Sequence, residues 1–376
     1  MSTIFVEPNP FASRLQVLAP LVTAANLQQA CTVVIPDRLG GTDFESFNAE
    51  IPATTRVIRV KDGSPKQATG KIRLSTFIKC LVTLIRCTAK QKSGTIVFTA
   101  IDDYTKWLWL LPILRVMTPG WKYLLIRYRV DDALGSPQDV SGKVRGALVQ
   151  SVRAMLAANV CCFDERVQQP FYSVLPDPWS GPFGSVSGAR VAQDHNWNTN
   201  DFIVCLVGFQ DKRKGFDVAA EALIKAAEEG FRICLVGRVD DALEHYLNEL
   251  KTCYGPSLAH YNYYVNDLEL AQIMTASSVV LLPYHQKFNA TSGVLVRAAA
   301  SGTSVITSDH GLVGWRTRRW KLGDTFEYPY ASQLAEVLVR ASLTAGSIDK
   351  SSAEQFANSS TTSALTKRFS SVLQSI

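Results

Sequence analysis

The chain has 376 residues, 47% of them hydrophobic and 19% charged, with a formal net charge of +6. That balance excludes a disordered polyelectrolyte, and the length exceeds what one hydrophobic core fills, so two domains are expected. The surplus charge is uneven: residues 1–180 hold 21 Lys and Arg against 14 Asp and Glu, a difference of +7, while residues 181–376 hold 18 against 19. The first half is therefore expected to meet something anionic, such as a membrane surface or a phosphate-bearing lipid.

The opening MSTIFVEPNPF lacks the basic start and unbroken apolar run of a secretory signal. The longest greasy run, Trp107 to Leu114, is broken by Pro112 and falls far short of the roughly 20 residues of a membrane span. A cytoplasmic protein is expected, at most held to the inner face of a membrane. Along the first half, TIFVEP, CTVVIP, TRVIRV, GTIVFTAI, WKYLLIRY and VCCFD read as strands. RLQVLAPLVTAANL, IRLSTFIKCLVTLIRCTAK and GALVQSVRAMLAA between them carry helical apolar spacing. Segment 71–92 sets Ser75, Lys79, Thr83, Arg86 and Lys90 on one side and Leu74, Phe77, Ile78, Leu81 and Ile85 on another. Such a helix either packs its apolar side on a core or lies on an anionic bilayer.

Residues 176–201, PDPWSGPFGSVSGARVAQDHNWNTND, have linker composition. Beyond them DFIVCLVG, FRICLVG, LAHYNYY, SVVLLPY and TSVITS read as strands, alternating with the helical stretches DVAAEALIKAAEEG, DALEHYLNELKTCYG and DLELAQIMTAS, two of which close on Gly230 and Gly255. Repeated βα alternation predicts an α/β protein of two doubly wound, Rossmann-like domains facing a cleft, with ligands at strand C-termini. The boundaries are an N-terminal domain over 1–180, a C-terminal domain over 181–350, and a helical segment, 351–376, that packs back on the first.

The eight cysteines sit mostly in apolar segments without C-x-x-C spacing and read as core residues; no metal site is expected. Absence of G-x-G-x-x-G, of a P-loop and of G-x-S-x-G removes the main support for a dinucleotide oxidoreductase, a P-loop NTPase or a serine hydrolase. Nucleic acid is not expected as a partner, because the basic residues are dispersed and no recognition motif occurs. Two strand-to-helix corners remain. The first, Phe209-Gln210-Asp211-Lys212-Arg213-Lys214-Gly215, places three successive cations before a helix. The second, Asn289-Ala290-Thr291-Ser292-Gly293 leading into Val294, Leu295 and Arg297, presents small residues and free amides at a helix start. Side by side they would grip a diphosphate.

The ordered series VGFQDKRKGFDVAAEAL, LVGRVDD, YVNDLELAQIMTASSVVLLPY and TSGVLVRAAASGTSVITSDHG resembles the C-terminal domain of glycosyltransferase family 4, over about residues 202–315. The resemblance implies a retaining, metal-independent sugar transferase of GT-B architecture that takes a nucleotide-diphosphate sugar and needs no cofactor. It implies Lys214 as the diphosphate lysine and Thr291, Ser292, Gly293, Val294 and Leu295 as the phosphate-facing helix start. Two carboxylates customary in the family fall on Asn289 and Arg297; Asn289 can still bond a sugar hydroxyl, and Arg297 can pair with a phosphate. The family's strand-end arginine falls on Phe209, with Arg213 as a stand-in, and the N-terminal glycine-rich loop is replaced by Asn9-Pro10-Phe11-Ala12-Ser13-Arg14. Lys214, Asn289 and Asp103 are the expected catalytic residues, with Asp102, Arg127 and Arg129 as further contacts from the first domain. The acceptor is expected to be a glycan or a lipid-linked group. An alternative is a catalytically degenerate, nucleotide-sugar-binding partner of an active transferase.

Overall fold

The computed structural model describes all residues except 1, 11, 38–40, 63–71, 135–139, 180, 182–185, 199 and 345–347. Of the expected features, parts of the 176–201 linker, Lys71 and Phe11 thus lie outside the described residues. The chain divides into two compact units, Met1–Pro178 with Thr361–Ile376, and Trp179–Ser360.

The first unit runs β1 (Ser2–Val6), α1 (Ala12–Asn26), β2 (Ala30–Pro36), α2 (Gly41–Glu50), β3 (Arg56–Val60), α3 (Leu74–Thr88) and β4 (Gly94–Phe98). Two 3-10 turns over Ile101–Asp103 and Thr105–Leu110 lead to α4 (Ile113–Met117), β5 (Trp121–Arg127), α5 (Val140–Leu156), β6 (Asn159–Cys162) and β7 (Tyr172–Val174). The strands pair in the order β3-β2-β1-β4-β5-β6-β7, all parallel. Strands buried on both faces explain the near-continuous apolar runs. On one face Ile4, Val6, Ile96 and Phe98 meet Phe77 and Leu84 of α3, Leu108 of the second turn and Val152 of α5. On the other, Phe5, Val33 and Val97 meet Leu18 and Val22 of α1 and Phe47 of α2. Helix α3 therefore turns its apolar side to its own sheet, the first of the two placements open from its spacing: Phe77 and Leu81 are core residues, while Ser75, Lys79 and Arg86 stay exposed.

The second unit begins with α6 (Ala189–Asp194) and continues β8 (Ile203–Val207), α7 (Phe216–Lys225), β9 (Arg232–Val236), α8 (Glu244–Tyr254), β10 (Leu258–Tyr261), α9 (Asp267–Ala276) and β11 (Val279–Leu282). Then follow α10 (Gly293–Ala300), β12 (Ser304–Ser308), α11 (Gly311–Arg319), β13 (Gly323–Phe326), α12 (Ala331–Thr344) and α13 (Lys350–Ser359). The sheet order is β10-β9-β8-β11-β12-β13, again parallel. Gly255 follows α8 directly, whereas α7 stops at Lys225 and a 3-10 turn carries the chain to Gly230 at φ +72°. The edge strands β7 and β13, with the sequences YSV and GDTF, are too short to stand out from sequence and pair with β6 and β12.

Past α13 the chain returns to the first unit as α14 (Thr362–Ser375), capped by Thr361 accepting from the Ala364 N–H. Its buried Leu365, Phe369 and Val372 join the core of α1, with the Phe369 and Phe5 rings 6.1 Å apart. The last segment of the chain thus seals the first sheet. Phe369→Ala should cost about 3–5 kcal/mol of unfolding free energy, read as a lowered denaturant midpoint; a change below about 1 kcal/mol would show that α14 is not part of that core.

Candidate functional site

In both sheets the strand order reverses between two neighbours, β1 and β4 in the first unit, β8 and β11 in the second. At such a switch point the flanking connections leave toward opposite faces and open a crevice at the strand C-termini. In the second unit those connections are the two corners singled out from the sequence.

The first corner leaves β8 through Gly208 at φ +97°. Residues Lys212–Lys214 form a 3-10 turn whose cap is Asp211: its carboxylate accepts from the Lys214 N–H at 2.8 Å. Lys214 Nζ folds back to donate to the Val207 carbonyl at 3.0 Å. It lies directly over Gly208, where an added Cβ would come within 2.2 Å of Nζ, so only glycine leaves room for the ammonium. Burial, and next the positive charge of Arg213, push the Lys214 ammonium down to about 8, with Asp211 opposing. Arg213 is more exposed, pairs with Asp211 at 3.5 Å and lies over the Phe288 ring at 5.4 Å. Phe209, in the family's arginine position, is 47% exposed.

The second corner leaves β11 through Pro283, Tyr284 and His285. Ser292 is the N-cap of α10, its Oγ accepting from the Leu295 N–H at 3.3 Å and sharing a 3.0 Å hydrogen bond with the buried Tyr284 hydroxyl. Ser308 Oγ donates to the Tyr284 carbonyl at 2.7 Å. Of the amides assigned to phosphate, Leu295 is therefore already capped; Gly293 and Val294 stand at the open helix start with Thr291 just before it. Arg297 departs from expectation. Its guanidinium pairs with Asp267 at 3.4 Å, stacks on Trp179 at 4.0 Å and reaches back to the Gly293 carbonyl at 3.4 Å. Its charge is held by Asp267, while burial lowers its pKa.

The two corners are tied together. The His285 N–H donates to the Arg213 carbonyl at 3.1 Å. Gly215, at φ +69°, packs so closely that a Cβ would sit 1.8 Å from the Pro283 carbonyl oxygen. A third corner, after β12, adds His310 and Gly311: the His310 ring meets Tyr328 edge-on at 5.8 Å, His285 meets the same tyrosine at 5.4 Å, and Asn289 Oδ1 lies 3.5 Å from where a Gly311 Cβ would be. Lys214, Arg213 and the α10 start thus occupy two linked loops, with Asn289 at the third. Gly208, Tyr284 and Tyr328 escaped the sequence reading; the strand-end glycine of LVG was the available signal for the first, and none marked the tyrosines.

Asp103 lies in the first unit. At that switch point Glu7 is fully buried, accepting from the Asn9 N–H and the Thr99 hydroxyl, each at 2.8 Å. Asp103 accepts from Arg14 at 3.0 Å, Arg129 at 3.3 Å and Asn9 Nδ2 at 3.3 Å. Arg14 also stacks on Tyr128 at 3.9 Å. Asp103, expected among the catalytic residues, is thus an anchor for two guanidiniums. Arg127, expected at a cleft, is fully buried between Asp102, Asp132 and the Tyr172 hydroxyl. It braces β5 from within.

Residues 201–322 match the family model described as glycosyl transferases group 1. No curated protein matches the chain. Among solved structures, HepE of Anabaena in complex with UDP is similar over 100% of both chains, with TM-score 0.73 and 14% identity. Sucrose-phosphate synthase of Thermosynechococcus elongatus aligns over 100% of this chain and 98% of its own, with TM-score 0.72 and 16% identity. WaaG, a glycosyltransferase involved in lipopolysaccharide biosynthesis, aligns over 99% of both chains, with TM-score 0.66 and 13% identity.

Burial raises the Glu7 carboxyl from 4.5 to about 7, the Asn9 amide opposing it. A raised acid favours folding in its neutral form, so the stabilisation is complete below about pH 4.5 and is lost as pH rises through about 7. Unfolding free energy should fall by on the order of 3 kcal/mol across that window, and Glu7→Gln should flatten the fall; equal slopes in both proteins would remove Glu7 as its source. The sheet orders, the alternation and these matches together give the chain the GT-B fold of two Rossmann-like units, its second unit similar to the group 1 glycosyl transferases.

Proposed function

We propose that the chain is a glycosyltransferase that moves a sugar from a nucleotide-diphosphate donor to a glycan or lipid-linked acceptor, with retention of anomeric configuration. The observation that carries this reading is the locked pair of corners at the β8–β11 switch point, with Lys214 on one and the α10 helix start on the other. As the anomeric bond breaks, negative charge builds on the leaving diphosphate. Lys214 and Arg213 would meet it as cations, and the Gly293 and Val294 amides with the α10 dipole as fixed donors. Such a leaving group is neutralised by these residues without a metal ion or cofactor. Asn289 would bond a hydroxyl of the transferred sugar. The acceptor would bind to the first unit, its hydroxyl attacking from the face of the departing diphosphate, which takes the proton. Supporting the donor assignment, HepE was crystallised with UDP, with UDP and glucose, and with UDP-glucose.

One observation favours the second reading, a donor-binding protein without turnover. Asn289 and Arg297 stand where the family carries carboxylates, and Arg297 is held by Asp267 and Trp179. Calorimetric UDP binding with no transfer or hydrolysis across an acceptor panel would establish it.

Lys214→Ala should weaken UDP binding and reduce transfer by roughly 10²–10³-fold; unchanged activity would end the transferase reading. With Lys214 titrating near 8 in the free protein, UDP should bind tightly below that pH and progressively more weakly above it, because binding the neutral amine requires proton uptake. Isothermal titration at pH 7, 8 and 9 should show this dependence in the wild type and its absence in Lys214→Ala.

A further inference from the structure

At the edge of the second sheet, β10 ends at Tyr261, and Asn262, Tyr263 and Tyr264 follow before α9 begins. Among the described residues of this unit, the exposed large apolar side chains are Phe209, Tyr263, Tyr264, Leu268, Tyr330 and Leu343, so half of them fall between 263 and 268. Scattered exposed apolar residues need no explanation, but a cluster beside a hollow does. The hollow lies between α6 and α9 and has a volume of about 330 Å³. That is the lower end of the roughly 300–1,000 Å³ range of small-molecule sites. Val191 and Ile273 form its buried lining, Tyr261 one wall, and Asp194, Glu269, Gln272 and Arg190 its polar rim.

The aromatic wall is fixed from behind. The Tyr261 hydroxyl shares a 2.8 Å hydrogen bond with His195 Nε2, and the His195 ring rests on the buried Trp197 at 4.9 Å. Tyr263 meets Tyr261 edge-on at 6.1 Å and donates its hydroxyl to the Glu269 carboxylate at 2.6 Å. Both rings and one carboxylate are therefore held before any ligand arrives, which lowers the entropy cost of binding.

The hollow is separate from the two corners of the donor site, and none of their residues lines it. An α-helix turns by about 100° per residue, so Glu269, Gln272 and Ile273 lie on the side of α9 opposite Asp267. Asp267 bonds Arg297 of α10, whereas the hollow side of α9 packs on α6.

Charge and hydrogen-bonding capacity narrow what fits. Two carboxylates, Asp194 and Glu269, against one guanidinium, Arg190, leave the lining at −1. That balance disfavours a phosphate, a sulfate or a nucleotide. A plain hydrocarbon would strip water from the rim and return no hydrogen bonds. A pyranose ring suits both parts: its hydroxyls donate to the carboxylates, accept from the guanidinium and do both with the Gln272 amide. Its C–H faces are apolar and lie against a tyrosine ring. We infer that this hollow binds a neutral sugar unit of a glycan, with Tyr261 and Tyr263 against the ring and Asp194, Glu269 and Gln272 bonding its hydroxyls. The site goes beyond the donor and acceptor sites of the proposed function, since it holds a glycan without transferring anything to it.

Saturation-transfer difference NMR of the full chain with neutral tetrasaccharides built on glucose, galactose, mannose and N-acetylglucosamine should show transfer to at least one of them. Glu269→Ala with Gln272→Ala should weaken that binding by roughly tenfold or more, and Tyr263→Ala should weaken it comparably. These side chains lie at the surface, so thermal unfolding close to wild type separates lost binding from lost folding. Saturating UDP should leave the sugar signals unchanged. That outcome is the same whether or not UDP binds at the two corners, so the result does not depend on the donor reading. Absence of transfer to every neutral tetrasaccharide, binding that survives both variants, displacement by UDP, or preference for a sulfated tetrasaccharide or for choline would each overturn the inference.

Discussion

The backbone hydrogen bond from the His285 N–H to the Arg213 carbonyl holds the second unit's site together. Two loops leaving adjacent parallel strands have no intrinsic reason to keep a fixed separation, because the sheet's own pairing ends before them. That bond ties the two loops together past the end of the β8–β11 pairing, and Gly215 packs against the Pro283 carbonyl beside it. With the spacing fixed, the Lys214 corner and the α10 start are held in place without waiting for a ligand to assemble them. Preorganisation of this kind is what allows fixed dipoles to stabilise a developing anion without reorganising.

The two units share a topology and differ in what fills the switch point. In the first, Glu7 and Thr99 bridge β1 and β4 by side-chain hydrogen bonds, and the surrounding charges cancel in Asp103–Arg14–Arg129 and Asp102–Arg127–Asp132. Buried charges such as those of Arg127 and Asp102 cannot be left unpaired, so this edge is occupied largely by its own ion pairs. In the second, the corresponding edge holds a lysine whose charged head donates to the Val207 carbonyl, with Arg213 repelling it and Asp211 attracting it. One fold thus carries a self-satisfied edge and an edge with unmet positive charge.

Much of this was legible in the sequence. All the central strands stand out as apolar runs because parallel strands are buried on both faces, and the Lys214 and Ser292 corners follow from a cationic turn and a small-residue helix start. What was missed follows from interactions that no local pattern encodes. Strands β7 and β13, three and four residues long, are fixed by a neighbour that offers ladder groups, and runs that short carry no readable period. Asp103 and Arg127 sit at the predicted strand ends, yet their chemistry is set by Arg14, Arg129, Asp132 and Tyr172, which are brought in from other elements. Arg297 lies at helical spacing from Gly293, but the partner that captures it, Asp267, comes from the start of α9. For α3, amphipathic spacing identifies an apolar side without saying whether the protein's own sheet or a bilayer covers it.

Lys214 shows why a lost carboxylate need not empty the site of purpose. A half-buried ammonium bonded to a single carbonyl is poorly solvated, and burial together with Arg213 moves its titration to about 8. Holding the chain in that state costs stability, since the unfolded lysine binds its proton more tightly than the folded one. In the proposed donor complex, an incoming diphosphate would relieve this repulsion and supply further acceptors to the ammonium. Asn289 and Arg297 alter how a sugar and a ribose would be held, whereas this electrostatic imbalance resides in the Lys214 corner and is independent of both.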